Sequence, residues 1–366
     1  MGLFFCGAGA LFSAEARPFM FETTPALGRG GFYSAYNTDI FCLLSNPASL
    51  AAVQYNGLFQ FAPGAIGTFD EDIALLGALI GGESPGASML DGYGRGNLAQ
   101  TPPEMYINGP IAAGYAAKGF GLLFFNRVLI DSAIRGQQWT LNLNADFSGN
   151  IGWAVCLADT YAHKLDAGLA VKLGVRYTAN LLTEPIVVDT NAAGPGGSWY
   201  RNDGLMIGAG VNVGLLYSLY NNFSVGLACE DALTPNVFVN LAENGEEAPP
   251  FLLARPKINF GISGKPIEQP AVTWVLMCDV RDLLSMAGVW NEPVRNPLLH
   301  LSAGTEVILS GSFSLRAGVK DLLPCGGLGY AFGRFSLDGA FYGKEYGLEP
   351  GDRSVYALEF CFRMTI

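Results

Sequence analysis

Charge is scarce in this chain. Asp, Glu, Lys and Arg make up 14% of 366 residues, against about 25% in soluble domains. So few charged groups would struggle to cover a soluble surface when half of the residues are apolar. Long hydrophobic runs are also missing. No stretch approaches the ~20 apolar residues that a membrane-spanning helix needs; the longest candidates are the N-terminus and Ile73 to Ile80. Basic residues are the scarcer sign, 21 against 32 acidic, for a net charge of −11. That balance argues against a nucleic-acid partner, which requires a basic footprint. It fits acidic exposed loops such as Glu243-Asn-Gly-Glu-Glu247.

Groups that carry chemistry are sparse as well. The two histidines, His163 in an expected turn and His300 in an expected strand, have no partner at i±2 or i±4, so no metal site is expected. No G-x-S-x-G marks a hydrolase elbow. The glycines of Gly208-Ala-Gly-Val-Asn-Val-Gly214 miss the G-x-G-x-x-G spacing and read as small residues facing a crowded lumen. The seven cysteines show no CxxC and no zinc pattern. No disulfide pairing is expected, and Cys229 and Cys278 fall on the apolar parity of strands as small hydrophobes. Neither an enzyme nor a cofactor is expected.

What the chain does have is glycine (48), phenylalanine (24), tyrosine (15) and alternation. Trp139, Leu141, Leu143, Ala145 and Phe147 interleave Thr140, Asn142, Asn144 and Asp146. The same period of two recurs at 167–176, 205–215, 313–319 and 356–366. Strict alternation means one apolar and one polar face. A soluble sandwich gives that signal too, but low charge and strands of bilayer-crossing length point to an antiparallel transmembrane β-barrel.

Tight links at His163–Asp166, Leu219–Asn222, Ser310–Ser312 and Gly333–Arg334 alternate with long ones at Leu181–Gly204, Asp231–Pro256 and Asp282–Pro297. Outer-membrane barrels put short turns in the periplasm and long loops outside. Counting back from a periplasmic C-terminus gives about eleven crossings from Ile151 onward. Upstream strands at 53–62, 110–117 and 119–130 bring the count to about fourteen, with 138–147 extending a hairpin outside the membrane. The stretch 64–101, which includes Ile73–Ile80 as a short apolar helix, is either a structural lid or a ligand-gathering surface. At the polar parity stand Arg176, Asp279, Glu306, Arg316, Asp338, Glu359 and Arg363. They form either a lumen ion network or a substrate path.

At the N-terminus, Leu3 to Phe12 is a short apolar h-region, and Ala14-Glu15-Ala16 offers small residues for cleavage before Arg17. Residues 1–16 are expected to be an export signal. The basic n-region is missing, which a start assigned too far downstream would explain. An ordinary apolar segment is the alternative.

Residues 29–52, "RGGFYSAYNTDIFCLLSNPASLAA", contain Asp39 and then Asn46-Pro47-Ala48-Ser49-Leu50-Ala51. This stretch resembles the N-terminal plug of the FadL-like long-chain fatty-acid transporter family of outer-membrane barrels, including the related PorV branch. Ser49 stands where glycine is usual in the family. The segments 222–233 and 300–320 are similar to a Gly-containing strand and a Gly-x-Glu…Leu-Arg-x-Gly hairpin of the same family. The resemblance implies a 14-stranded barrel (53–366) with an N-terminal hatch (17–52) and diffusion of hydrophobic molecules inward past it. The partners expected are a fatty acid or similar ligand and outer-membrane lipid, around a monomeric barrel with both termini in the periplasm. The alternative function is a structural or interaction barrel, a PorV-like secretion partner or an adhesin displaying its loops. An apolar pocket beside the hatch favours transport; a lumen packed with ion pairs favours the alternative.

Overall fold

The computed structural model describes residues 22–37, 39–53, 56–66, 104–135, 138–185, 204–220, 222–240, 252–289, 294–352 and 354–366. The expected export signal, the apolar stretch Ile73–Ile80 and the acidic loop at 243–247 lie outside the described residues.

Strands dominate: β1 (Asn56–Ile66), β2 (Glu104–Ala117), β3 (Phe120–Arg135), β4 (Gln138–Asp159), β5 (His163–Pro185), β6 (Gly204–Leu219), β7 (Phe223–Leu233), β8 (Pro235–Asn240), β9 (Leu252–Leu253), β10 (Lys257–Glu268), β11 (Val272–Val280), β12 (Leu301–Leu309), β13 (Phe313–Lys320), β14 (Leu323–Phe332), β15 (Phe335–Glu345) and β16 (Ser354–Thr365). Each of β1 to β7 pairs antiparallel with its neighbour in sequence, β7 with β10, and so on to β16. The last strand returns to the first, with Phe61 opposite Phe362. With β8 and β9 as outer extensions, the result is a closed antiparallel barrel of fourteen strands. Closure leaves no barrel edge with unpaired backbone groups.

Parity explains the composition. Leu315, Val319, Leu328, Leu358, Phe360 and Phe362 point outward and are exposed, while Glu306, Asp338 and Glu359 point inward and are buried. An apolar outside with a polar inside inverts the layout of a soluble protein and suits hydrocarbon. No helix among the described residues is long and apolar enough to cross a membrane. Cys278 is exposed on the outer parity and Cys229 half-buried; all six described cysteines are free.

Several boundaries differ from the sequence expectations. The turn expected at His163–Asp166 lies three residues earlier, because Thr160 closes it by donating from N and Oγ1 to the carbonyl of His163 (2.8 and 3.0 Å). His163 therefore opens β5. His300 closes a 3-10 turn, Pro297–His300, started by Pro297 and capped by Asn296, instead of standing in a strand. The segment 138–147, as expected, extends a hairpin instead of crossing separately: it is the outer half of β4, a strand of 22 residues. The link expected from Asp231 to Pro256 is partly strand. Asp231 takes a left-handed conformation (φ 54°) that shifts the β6–β7 register, and pairing resumes along β8. Lys172 and Thr234 bind the Asp231 carboxylate and hold that kink. Not every link at the long-loop end is long, since Asp321 and Leu322 alone join β13 to β14.

Candidate functional site: a plugged lumen

Residues 22–53 run inside the barrel, and nearly every side chain from Thr23 to Ala51 is buried. A five-residue helix, Thr24–Gly28, begins with Thr23 as its cap and Pro25 in its first turn. Two 3-10 turns follow, Ile40–Leu44 and Pro47–Ala51. Asp39 caps the first by accepting from Phe41 N (3.0 Å).

Asn46 caps the second: its Oδ1 accepts from Ala48 N at 3.1 Å, and Pro47 supplies the fixed φ of the first turn position. The same side chain donates Nδ2 to Ser34 O (2.6 Å) and Leu215 O (3.0 Å). One amide thus satisfies a turn, a neighbouring loop of the plug and the barrel wall. Its apolar neighbours Ile40, Phe41, Leu43, Leu44 and Leu50 pack against Leu58, Ala112, Ala116 and Leu123 on the inner wall. Full burial of each large side chain contributes roughly 1.5–3 kcal/mol.

Inward glycines make the socket. A Cβ on Gly168 would collide with the Pro47–Ala48 backbone, and one on Gly214 with the Asn46 amide. These two glycines face each other across β5 and β6. Gly304 and Gly318, also paired, admit the carbonyl of Arg29 on the opposite side. The plug backbone and the barrel backbone touch, which any larger side chain would prevent.

The polar-parity residues act mainly on the plug. Arg29 Nη1 lies 3.0 Å from Glu306 Oε2, Arg316 Nε lies 2.6 Å from Glu306 Oε1, and Arg316 Nη1 lies 2.7 Å from Asp338 Oδ1. These four side chains are less than 9% exposed. Asp279 Oδ2 accepts from Ser34 N and Oγ, both at 2.7 Å. Thr24 Oγ1 donates to Glu359 at 2.5 Å, and Arg363 reaches Asp39 at 3.3 Å and Gln60. Arg176 stands apart, paired with Asp146 on the tall β4–β5 wall. Asn46, Pro47, Ala48 and Asp39 therefore belong to the plug, and six of the seven polar-parity residues belong to its anchorage.

Sequence reasoning passed over Glu22, Arg29, Arg281 and Lys320. Glu22 bridges Lys320 and Arg281, the latter at 3.2 Å. Burial pushes the Glu22 carboxyl up, but the Lys320 and Arg281 charges outweigh it and hold the group down at about 2. Burial pushes the Tyr33 and Tyr36 hydroxyls of the plug well above their ordinary value. The signal for Arg29 was there: it is one of only three basic residues before Lys118, with Arg17 and Arg95.

Above the plug, toward the end that carries the long links, is a chamber of about 530 Å³. Its lining mixes Leu27, Phe32, Leu299 and Tyr342 with charged groups of both signs, including Glu22, Arg281 and Lys320. Among the described residues no cluster of His, Cys, Asp or Glu could hold a metal ion.

Fold and interior together define a membrane-type β-barrel that holds its own N-terminal segment in its lumen. Among solved structures it is similar to the Pseudomonas putida toluene transporter TodX, with a TM-score of 0.51 at 13% identity over 97% of this chain and 99% of that one. The Ralstonia pickettii toluene transporter TbuX aligns at 0.48, with 11% identity over 94% and 98%. A Pseudomonas aeruginosa FadL homologue aligns at 0.42, with 11% identity over 94% and 97%. At such identities the TodX likeness is one of fold. No family model matches the chain, and no curated protein matches it in sequence.

Proposed function

We propose that this protein is an outer-membrane channel for passive uptake of hydrophobic small molecules, long-chain fatty acids among them. The observation that carries the reading is a lipid-compatible barrel whose lumen is blocked by a fitted N-terminal segment beneath an open chamber. A transported molecule enters that chamber and passes when the segment shifts, which makes residues 17–52 a hatch. The C-terminus faces the periplasm, on the side of the short turns. The likeness in fold to a toluene transporter supports the class of cargo. Transfer of about 0.8 kcal/mol per buried CH₂ drives such ligands without a nucleotide, so neither an enzymatic activity nor a cofactor is proposed. The mixed lining suits an amphipathic molecule with a charged end better than a bare hydrocarbon.

The ion-paired lumen favours a second reading. Glu306, Arg316 and Asp338 tie the plug in place, as in a structural barrel that presents its loops to partners and conducts nothing. Uptake of a labelled long-chain fatty acid into liposomes separates the two. Entry faster than through an unrelated barrel of similar size supports the channel, and entry at the control rate leaves the structural barrel.

A further inference from the structure

The outer wall carries a notch on β15. On β15 the outward positions are Phe335, Leu337, Gly339 and Phe341, so a single glycine interrupts a row of large side chains. Leu328 on β14 and Phe360 on β16 stand opposite Gly339 across the two ladders. Together with Tyr330, Leu337 and Phe362 they wall an apolar groove of about 490 Å³. A Cβ on Gly339 would lie 3.5 Å from Phe360 Cδ1, an ordinary contact, so a methyl group fits there without displacing its neighbours. The space is therefore not imposed by packing, in contrast to the glycines under the plug.

The groove lies in the half of the wall nearest the short turns. Below it, Phe332 and Phe335, their rings in contact, flank the β14–β15 turn, whose Arg334 is exposed. Arg334 has no acidic partner among the described residues, and its carbonyl accepts from Thr365 N, which ties the turn to β16. A cation in the turn below an apolar slot is the outline of a lipid with an anionic head. The slot is continuous with the exposed apolar wall and has the size of an ordinary small-molecule site.

We propose that this groove binds one acyl chain of an anionic glycerophospholipid from the leaflet on the short-turn side, with the phosphate on Arg334. The site rests on the reading of the barrel as a membrane protein and is separate from the plugged lumen. The test uses the whole protein in vesicles of phosphatidylglycerol and phosphatidylcholine in equal parts, followed by mild detergent and native mass spectrometry. Wild type is expected to keep a bound phosphatidylglycerol. Gly339→Phe fills the slot and should lose the retained lipid, while Arg334→Gln should keep a lipid but lose the preference for the anionic head. Lipid retention equal in all three proteins overturns the site alone, as does a wild-type dimer with no lipid, in which a second copy covers this face. Failure of wild type to enter the vesicles overturns the membrane reading and the site with it.

Discussion

Asn46 donates Nδ2 to the carbonyl of Leu215 across 3.0 Å, joining the turn of the plug to a strand of the wall 169 residues away. The contact exists because Gly214, next to Leu215, has no side chain to keep the amide off. It makes the Asn-Pro pair a fastening as well as a turn.

Replacing Asn46 by Ala strands the carbonyl of Ser34 and the amide of Ala48 inside the barrel, and removes a contact to the wall at Leu215. Each orphaned buried group costs about 1–3 kcal/mol. Asn46→Ala should loosen the plug and leave the ladder of strands intact. Proteolysis of residues 22–53 in detergent should speed up, while the resistance of the barrel to unfolding in dodecyl sulfate should stay that of wild type.

Glu306 neutralises both Arg29 and Arg316. Removing one partner of a buried ionic network costs about 3–5 kcal/mol, because uncompensated charge remains inside. Glu306→Ala is expected to lower the melting temperature more than Asn46→Ala. The double substitution Glu306→Ala with Arg29→Ala should recover part of the loss, and no recovery would remove Arg29 from the network.

The alternation of 313–319 and 356–366 was enough to place outward and inward residues, since a closed sheet converts period two into two chemically distinct faces. The strand count was legible for the same reason. Turn positions were less so: Thr160, which closes the β4–β5 turn, is an ordinary residue to a sequence reader, and its role depends on a carbonyl three residues on. In the lumen, parity marked Glu306 and Arg316 as inward but said nothing of Arg29, the second cation on Glu306, which lies 277 residues from it. The glycine socket was hidden for a similar reason. A glycine opposite a glycine matters only once the plug lies between them.

Glu22 links the plug to pH. Its folded-state value, held near 2 by Lys320 and Arg281, lies below the ordinary 4.5. A depressed carboxyl contributes stability that is present above 4.5 and lost as pH falls through about 2. Amide hydrogen exchange at residues 22–28, corrected for intrinsic rates, should accelerate between pH 4.5 and 2. Glu22→Gln should flatten that dependence; an unchanged profile would mean that another group controls it.

The cysteines report topology directly. Cys156 is exposed near the short turns, Cys278 is exposed on the outer wall, and Cys42 is buried in the plug. In proteoliposomes a membrane-impermeant maleimide should label Cys156 from the short-turn side, only a lipid-soluble reagent should reach Cys278, and Cys42 should resist both until the protein is unfolded.

The seal itself is tested most directly by ion conductance in planar bilayers. Wild type, with its lumen filled by residues 22–53, should show no steady open-pore current. Deletion of residues 17–52 should open a pore-sized conductance, and Gly168→Leu, which pushes Pro47 and Ala48 out of their socket, should give intermittent openings. A steady open-pore current in wild type, equal to that of the deletion, would contradict a barrel closed by its own N-terminal segment.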